Sequence, residues 1–472
     1  MLGLLPLLAL SPSPARAQTF SISDPENTGP SPEETAQVAP PRFQTTLFRG
    51  DWTAQLGVDT GHEDDCGRQA CEDVFDLRNQ LDLRLQADVA DDLRAVIEAR
   101  FDHRVVGERP EGEAFTVANA NRVKGVYEPQ LREAYLQWRG LGPFDVTLGQ
   151  QVVAWGVLDV ASAQDVVNPV DYRTGLAPGD EPPRIPVFLM RAETRLGPLH
   201  VDGVLAPFFT PHRIDLLGSD YGPLGAAILS GVDESVEDDW SKTVQATEVP
   251  MDLPRQADAG IRLGTSVGGV DLHAAYLYVW DRIPELRERV IEAVTEGGLP
   301  FTSTYSRRHV VGGDATLTAG DFVFRLESGW SPQRTLYQAG EFGVPVSVRR
   351  SVAQSGLGID WTYDTDLIAN VEAFWMRVND VPADAELFLL KPDMYGAAGG
   401  LTMRFLNDDL SISARAMVTS LEDLIVFPEI SWRIADGHTV AGSVQVYEGR
   451  DGSMGDQFDH NDQAVFRYSR SF

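Results

Sequence analysis

Charged and apolar side chains alternate through Val74–Val89, and the charged set is the first part of the sequence that could do chemistry. Acids, arginines and glutamines occupy one set of alternate positions, and the other set is apolar except for Asn79. This stretch is far longer than the about five or six residues of a typical strand, and it suits a tilted strand that crosses a bilayer. One face would meet lipid and the other water, so we expect the charges to line a lumen.

The next segment, Leu93–His103, carries a second row of charges of both signs. Mixed charges around a water-filled lumen set up a transverse field that orients and filters polar solutes. Ion pairs that only hold the wall together are the alternative interpretation for most of these residues. Candidates for lining the lumen are Asp76, Arg78, Asp82, Arg84, Asp88, Arg94, Glu98, Arg100, Asp102, Glu133, Arg139, Arg325, Glu327 and Arg415.

The elements that must position these charges are further strands of the same kind. Short turns such as Gly197–Pro198 and Gly268–Gly269 alternate with long loops such as 159–185 and 212–256, and only the link near Glu422 is short where a long loop is expected. This asymmetry is typical of outer-membrane barrels. The sequence therefore predicts an all-β fold, a transmembrane up-and-down antiparallel β-barrel of about 18 strands (16–18), in a bacterial outer membrane. The predicted strands are 46–59, 74–89, 93–103, 129–140, 144–158, 186–197, 199–211, 257–268, 271–282, 304–318, 321–332, 349–363, 366–379, 393–406, 409–421, 423–436, 439–449 and 462–472.

The segment before the barrel divides into two parts. Residues 1–17 have an apolar run followed by Ala15-Arg16-Ala17, which predicts a signal peptide with a small-x-small cleavage site; a short membrane anchor is the alternative. Residues 18–45 are rich in Pro, Glu, Ser and Thr and predict a disordered periplasmic arm. The barrel is expected to occupy 46–472. Beyond the N-terminus there is no apolar run of about twenty residues, which argues against membrane-spanning helices.

Two short motifs predict specific features. Phe466, Tyr468 and the terminal Phe472 share one face of the last strand, a pattern similar to the C-terminal signal by which bacterial outer-membrane barrels are recognised for assembly. Cys66 and Cys71 are expected to form a small disulfide, because two thiols without nearby partners leave zinc under-coordinated. Free thiols are the alternative.

Charge and motif content exclude several function classes. The formal net charge of −31 opposes contact with nucleic acid, because phosphates would be repelled. No zinc-protease or nucleophile-elbow motif occurs, so we expect no catalytic residues, no metal site, no cofactor and no enzyme activity. The expected partners are outer-membrane lipid and lipopolysaccharide, the barrel-assembly machinery and a periplasmic polysaccharide-export component.

Four blocks of sequence carry a family resemblance: Leu131–Tyr135, Thr147–Gly156, Asp165–Asp171 and Leu205–Arg213. Over about 130–213 the chain resembles the alginate-export-like, uncharacterised barrels of proteobacterial outer membranes. The resemblance implies a passive or export channel for an acidic or neutral polysaccharide. Within the blocks, Gly149 and Gly156 allow bends or close strand approach, Trp155 is expected in the outer aromatic girdle, and the loop that contains Asn168-Pro169 is expected to fold inward.

Three functions follow from this description. The leading one is a porin-like channel for export or diffusion of a polar solute, preferentially an extracellular polysaccharide. The second is a structural or adhesion barrel with a plugged lumen that acts through its acidic outer loops. The third is an outer-membrane hydrolase whose site is assembled from separate strands.

Overall fold

The computed structural model describes the barrel and parts of its loops. The predicted signal peptide, most of the predicted arm and both cysteines lie outside the described residues. Within them, no helix is long and apolar enough to cross a membrane. The described residues are 44–60, 73–108, 123–160, 162–173, 184–214, 256–288, 301–339, 345–364, 366–383, 385, 387–388, 390–450 and 453–472.

Antiparallel strands account for most of the described chain, and one short helix, α1 (Met454–Phe458), precedes the last strand. The strands are β1 (Gln44–Asp59), β2 (Asp73–Ala90), β3 (Leu93–Glu108), β4 (Val123–Leu141), β5 (Phe144–Gln151), β6 (Val187–Leu196), β7 (Leu199–Ala206), β8 (Asp258–Val267), β9 (Val270–Trp280), β10 (Glu285–Glu288), β11 (Phe301–Thr304), β12 (Arg307–Ala319), β13 (Phe322–Ala339), β14 (Pro345–Tyr363), β15 (Leu367–Val378), β16 (Asp393–Phe405), β17 (Leu410–Thr419), β18 (Leu424–Ala435), β19 (His438–Glu448) and β20 (Gln463–Ser471).

Eighteen of these strands form one sheet that closes on itself. Each wall strand pairs with the next along the chain, and β9 pairs with β12 because β10 and β11 form a separate hairpin. The seam is the antiparallel pair β1–β20, where Gly50 and Phe472 exchange two backbone hydrogen bonds of 2.8 Å. Closure leaves no edge strand whose backbone groups would lack partners in lipid. The predicted all-β, 18-stranded up-and-down barrel is confirmed.

The two ends of the barrel differ in their connections. The start of β1, the end of β20 and the short turns lie at one end, and the long connections lie at the other. At Gly268–Gly269 both residues have positive φ (62° and 84°), the conformation that a two-residue hairpin turn requires. The predicted short link near Glu422 is also present, between β17 and β18. By the convention of outer-membrane barrels the short-turn end is periplasmic.

Large apolar side chains cover the outer face of the wall. Leu77, Phe101 and Leu326 are 37%, 49% and 50% exposed, although they lie within long strands. Aromatic residues concentrate near both ends, as they do where a barrel meets the two lipid–water boundaries. Exposed examples near the short turns are Trp52, Phe322, Tyr363, Phe405, Trp432 and Phe472, and examples near the long loops are Tyr127, Phe188, Tyr276, Tyr278, Trp330, Trp375 and Tyr395.

The inner face carries polar residues and also two apolar clusters where chain segments fold into the barrel. The smaller cluster contains Val153, Trp155, Leu189 and Leu277. The larger one covers the inner side of β13–β19 and includes Tyr447 of β19 and Phe458 of α1. A barrel wall alone cannot bury side chains on its lumen face, so these clusters mark where loops occupy the lumen.

Several predicted strand boundaries were wrong for a common physical reason. β5 ends at Gln151 where the alternation predicted 158, and β7 ends at Ala206 where it predicted 211. The residues beyond Gln151 leave the wall and find hydrogen-bond partners inside the barrel, so they do not need a neighbouring strand. In the opposite direction, β3, β4, β13 and β14 extend farther toward the long loops than predicted.

Candidate channel constriction

The chain after β5 folds into the barrel as an irregular segment, residues 152–160 and 162–173, which we call the inner loop. Asn168 fixes its base to the end of β5. The Asn168 Oδ1 accepts a hydrogen bond from Val153 N (2.8 Å), and its Nδ2 donates to Gln151 O (3.2 Å) and Ile185 O (2.9 Å). One amide side chain thus takes the place of the strand pairing that ends at Gln151.

Trp155 anchors the first part of the inner loop to the near wall. It is completely buried, and its Nε1 donates a 2.9 Å hydrogen bond to Asp202 on β7. Arg191 on β6 neutralises Asp202 through an ion pair of 2.8 Å. The expectation that Trp155 lies in the outer aromatic girdle was therefore wrong: the backbone turns inward before Trp155, so the ring packs inside the barrel.

Glu327 on β13 binds the middle of the inner loop. Its Oε2 accepts hydrogen bonds from Val157 N (2.7 Å) and Leu158 N (3.2 Å). Its Oε1 accepts three more, which come from Ser162 Oγ (2.8 Å), Ala163 N (2.7 Å) and Gln164 N (3.0 Å). The side chain is buried, and this one carboxylate satisfies five donors of the inner loop.

Glu372 on β15 is a second carboxylate that binds the inner loop. It accepts hydrogen bonds from Asp159 N (2.7 Å) and Val160 N (2.9 Å). Arg325 on β13 completes this contact, because it donates to Val157 O (2.6 Å) and lies 3.1 Å from the Asp159 carboxylate and 3.2 Å from Glu372. Burial raises the pKa of Asp159, and the positive charge of Arg325 opposes that shift.

Asp314 on β12 holds a third point. It accepts a 3.2 Å hydrogen bond from Gln164 Nε2 and is neutralised by Arg262 at 2.9 Å. The His273 ring nitrogen lies 2.7 Å from the same carboxylate. The three acids Asp314, Glu327 and Glu372 therefore form one seat for the inner loop across four neighbouring strands, β12–β15.

This seat lies far around the wall from the strand that starts the inner loop. β15 is eight wall strands from β5 in a barrel of eighteen. A segment that starts at β5 and contacts β13 and β15 must therefore cross most of the lumen. The expectation that this loop folds inward agrees with the positions of its described residues.

The predicted charged face of β2 and β3 forms a ladder of cross-strand ion pairs, which we call the charge ladder. Each of its candidate residues has a partner of opposite charge, and most of these side chains are partly exposed. The pairs are Arg78–Asp102, Arg100–Asp82 (2.6 Å), Arg84–Glu98 (2.8 Å), Arg84–Glu133 (3.3 Å), Arg94–Asp88 (2.8 Å) and Arg104–Asp76 (2.9 Å). β2 is nine wall strands from β13, so the charge ladder faces the seat of the inner loop across the lumen.

The other predicted site residues are dispersed. Arg325 and Glu327 belong to the seat of the inner loop, whereas Arg139 lies near the short-turn end, 3.5 Å from Gln137, and Arg415 is half-buried on β17. Phe466 and Phe472 project outward, 60% and 57% exposed. The Tyr468 hydroxyl lies 2.6 Å from His438 Nδ1. An assembly role for these three aromatic residues stays a prediction.

A bulge in β4 places two consecutive charges, Arg132 and Glu133, on the lumen side. The register with β3 shifts beside Ala99, and Glu133 then meets Arg84 while Arg132 donates a 3.1 Å hydrogen bond to Arg184 O. Strict alternation predicts that only one of two neighbouring residues faces inward, so Arg132 was missed. The signal in the sequence is the charged pair itself, because neither residue suits lipid.

These features define an 18-stranded outer-membrane barrel of the porin-like class, with an inner loop across its lumen and an apolar belt that places it in the bacterial outer membrane. The chain belongs to the family described as "Protein of unknown function (DUF1302)", whose model matches residues 74–472. The match extends well beyond the 130–213 region of the predicted resemblance. Among curated proteins, no sequence matches the chain significantly.

Solved structures with this fold are outer-membrane barrels of low sequence identity. Acinetobacter baumannii OccAB1 is similar with a TM-score of 0.51 at 7% identity, covering 90% of this chain and 95% of that one. Acinetobacter baumannii OccAB4 has a TM-score of 0.47 at 9% identity, covering 91% and 98%. Salmonella typhi OmpF, in complex with daunomycin, has a TM-score of 0.44 at 10% identity, covering 92% and 98%. At such identities the likeness concerns the fold alone.

Proposed function

We propose that the chain is a channel that admits polar solutes through the space between the inner loop and the charge ladder. The observation that carries the proposal is the division of the lumen wall into two parts. On β12–β15 the carboxylates accept hydrogen bonds from the inner loop and are buried. On β2–β3 the paired charges keep part of their surface exposed. Charged groups of both signs beside a constriction orient a polar solute and select among ions.

For the solute, we propose a polysaccharide with hydroxyl and carboxylate groups, moving outward. The support is the resemblance of the four sequence blocks to alginate-export-like barrels, together with the way the structure uses those blocks. Trp155, Asn168 and Arg132 all come from them. Trp155 and Asn168 fix the inner loop, and Arg132 binds the backbone of Arg184, which pairs with Asp165 of that loop. Loss of surface polysaccharide on deletion of the gene would support export, and unchanged polysaccharide would leave diffusion of small solutes as the function.

The direct test is single-channel conductance of the purified protein in planar bilayers. We expect stepwise openings in KCl, with a change in ion selectivity when Arg78, Arg84 and Arg100 are all replaced by Glu. Each reversal changes the lumen charge by about two elementary charges, so the ratio of cation to anion permeability should rise several-fold. The single variants Arg78→Gln and Arg100→Gln test the same point with less strain on folding.

Arg377→Glu is the matched control for these variants. Arg377 is an exposed arginine on the outer side of β15 and pairs with Asp393 at 3.2 Å, so its reversal should leave selectivity unchanged. Equal selectivity in the wild type and in every charge-ladder variant would mean that the ladder pairs only hold the wall.

A barrel with a plugged lumen is the second candidate, and the apolar cluster inside β13–β19 favours it. Tyr447 and Phe458 are buried there, 6.0 Å apart between ring centroids. If the plug is complete, no current passes at any voltage or salt concentration, and the function then depends on the outer surface. The absence of any conductance in planar bilayers would support this candidate, provided that the mobility shift of the heated protein on gels shows that the barrel is folded.

A further inference from the structure

Arg308 is a buried cation for which the described residues supply no counter-ion. It lies on the inner side of β12, close to the long-loop end, and is 8% exposed. Among the residues that the structure describes, its guanidinium forms no hydrogen bond and no ion pair, and its Nε is shielded from water. A lone charge in such a place is strongly unfavourable, so a missing anion is the simplest resolution.

Tyr172, near the end of the inner loop, supplies a second buried donor that lacks a partner. Its hydroxyl is shielded from water and has no hydrogen bond to any residue that the structure describes. The residue itself is held firmly, because its N donates to Arg213 O (2.8 Å) and its ring packs edge-on against His212 at 5.3 Å. The His212 backbone N donates to Arg282 O (3.3 Å), just beyond the end of β9, and Arg308 lies on β12, which pairs with β9. Both donors therefore lie in the same part of the lumen, where Arg308 acts electrostatically on the Tyr172 hydroxyl.

Arginines and buried acids lie together around Arg308. Arg308 lies close enough to Arg282 and Arg334 for the three like charges to act on one another. Two buried acids oppose them. Asp258 is paired with Arg282 at 2.8 Å, and Asp281 accepts a hydrogen bond from the backbone of β13. Neither of these acids forms an ion pair with Arg308 itself, so Arg308 can still take an anionic partner.

His212 contributes no charge to this balance. Its Nδ1 accepts a 2.8 Å hydrogen bond from Val170 N, which requires an unprotonated nitrogen. Burial lowers the pKa of His212 well below its usual value, and the neighbouring arginines act in the same direction. The imidazole is therefore neutral at physiological pH and adds no charge beside Arg308.

We propose that Arg308 and Tyr172 bind a carboxylate, carried by a small organic acid or by a uronate sugar. The guanidinium fork of Arg308 matches the two oxygens of a carboxylate, and the Tyr172 hydroxyl can donate one more hydrogen bond. One buried arginine without a partner among the described residues suits a singly charged carboxylate better than a doubly charged phosphate or sulfate. The inference rests on the proposed channel, because the ligand reaches the site through the lumen, and it gives that channel a substrate class.

The test measures thermal unfolding of the full-length barrel in detergent while glucuronate replaces HEPES at constant ionic strength. We expect the wild-type midpoint to rise with glucuronate, as for any ligand that binds only the folded state, and to stay constant with glucose. Arg308→Met should remove this rise, and Tyr172→Phe should weaken apparent binding several-fold. Acetate is run in parallel: an equal effect indicates that the carboxylate alone is recognised, and a larger effect of glucuronate indicates recognition of the sugar acid.

A ligand site also predicts that glucuronate reverses the order of the unfolding temperatures of the wild type and Arg308→Met. A purely structural role of Arg308 does not predict this reversal. In HEPES alone Arg308→Met should unfold at a temperature equal to or above the wild type, because it no longer buries a lone charge, and in glucuronate it should unfold below it. Arg467→Met, which removes an arginine paired with Glu429 at 2.9 Å, should keep the wild-type response to glucuronate. Arg308→Lys serves if the methionine variant does not fold, and it should also lose most of the response.

Two results would overturn the site: an unchanged wild-type midpoint in glucuronate, or the same rise in Arg308→Met as in the wild type. Conductance in KCl is measured separately. A silent barrel that still responds to glucuronate would refute the channel and leave the carboxylate site intact, and a conducting barrel without the response would do the opposite.

Discussion

Replacement of Glu327 by glutamine tests whether buried carboxylates hold the inner loop across the lumen. The change keeps the shape of the side chain and exchanges one accepting oxygen for an NH2 group. At present Oε1 accepts three hydrogen bonds and Oε2 accepts two. The amide oxygen of the Glu327→Gln variant can serve one of these sets only, and the NH2 group then faces the donors of the other set.

The magnitude follows from the donors that lose their acceptor. In the more favourable orientation the amide oxygen keeps the three donors on the Ser162 side, and Val157 N and Leu158 N are left opposite an NH2 group. An unsatisfied buried donor costs about 1–3 kcal/mol, so two cost about 2–6 kcal/mol. The three remaining bonds also lose the assistance of the negative charge. We expect the attachment of the inner loop to weaken by about 4 kcal/mol, roughly a thousandfold in its equilibrium constant.

The assay is single-channel recording combined with urea unfolding in lipid vesicles. A loosened inner loop should widen the lumen for part of the time, so Glu327→Gln should show larger conductance, more open-channel noise and a lower urea midpoint. Glu429→Gln is the matched control. Glu429 is also on the inner wall, but among the described residues it binds only the guanidinium of Arg467 and no backbone donor of a loop. Wild-type conductance and noise in Glu327→Gln would refute the assignment of Glu327 as the main attachment of the inner loop.

Two further changes test the local structure. Gly149→Ala should destabilise the barrel by about 3 kcal/mol in urea unfolding, because φ is 139° and a Cβ would overlap the Ala134 carbonyl oxygen. Gly203→Ala is the control and should have little effect, because no atom lies nearer than 3.9 Å to its added Cβ. Burial raises the pKa of Asp462 to about 6, so the folded state holds this proton more tightly than the unfolded state and stability should fall as pH rises from about 4 to about 6. Because Asp462 is only partly buried, we expect the free energy of unfolding to fall by about 1 kcal/mol over this pH range. Asp462→Asn should abolish this slope, which denaturation at pH 4 and pH 8 would reveal, and an unchanged slope would assign it to other groups.

Strand positions were predictable because a membrane wall imposes the same rule on every strand. An outward residue meets lipid and an inward one meets water, so Leu77 and Arg78 reveal their faces by type alone. The turns were equally clear, since Gly268–Gly269 suits only a tight hairpin. The pairing within the charge ladder needs one more feature: a tight turn at Asp91–Asp92 alone would place Asp82 opposite Phe101, and the bulge between Asp88 and Ala90 shifts the register so that Asp82 stands opposite Arg100.

The inner loop could be anticipated only in outline. Residues 152–158 continue the alternation of β5, and nothing within that stretch states that its donors are satisfied by Glu327 and Glu372, which lie more than 150 positions later in the chain. Trp155 illustrates the ambiguity. An aromatic residue near a strand end fits a lipid boundary as well as a buried anchor, and only its contact with Asp202 decides between them. The role of Glu327 was missed for the same reason, because its type and position match those of any lumen carboxylate.

The use of carboxylates at these points has a functional consequence. A loop that crosses water needs acceptors for its backbone N–H groups, and a carboxylate offers two strong acceptors without adding donors. The cost is negative charge in the wall, and Arg325 and Arg262 compensate it within the seat. In the proposed channel the acids of β12–β15 are thereby removed from ion selection, and the charge ladder and Arg308 set the charge balance that a passing solute meets. Variants of the seat should therefore change pore size, and variants of the other two should change selectivity. A seat variant that altered selectivity at constant conductance would contradict this separation.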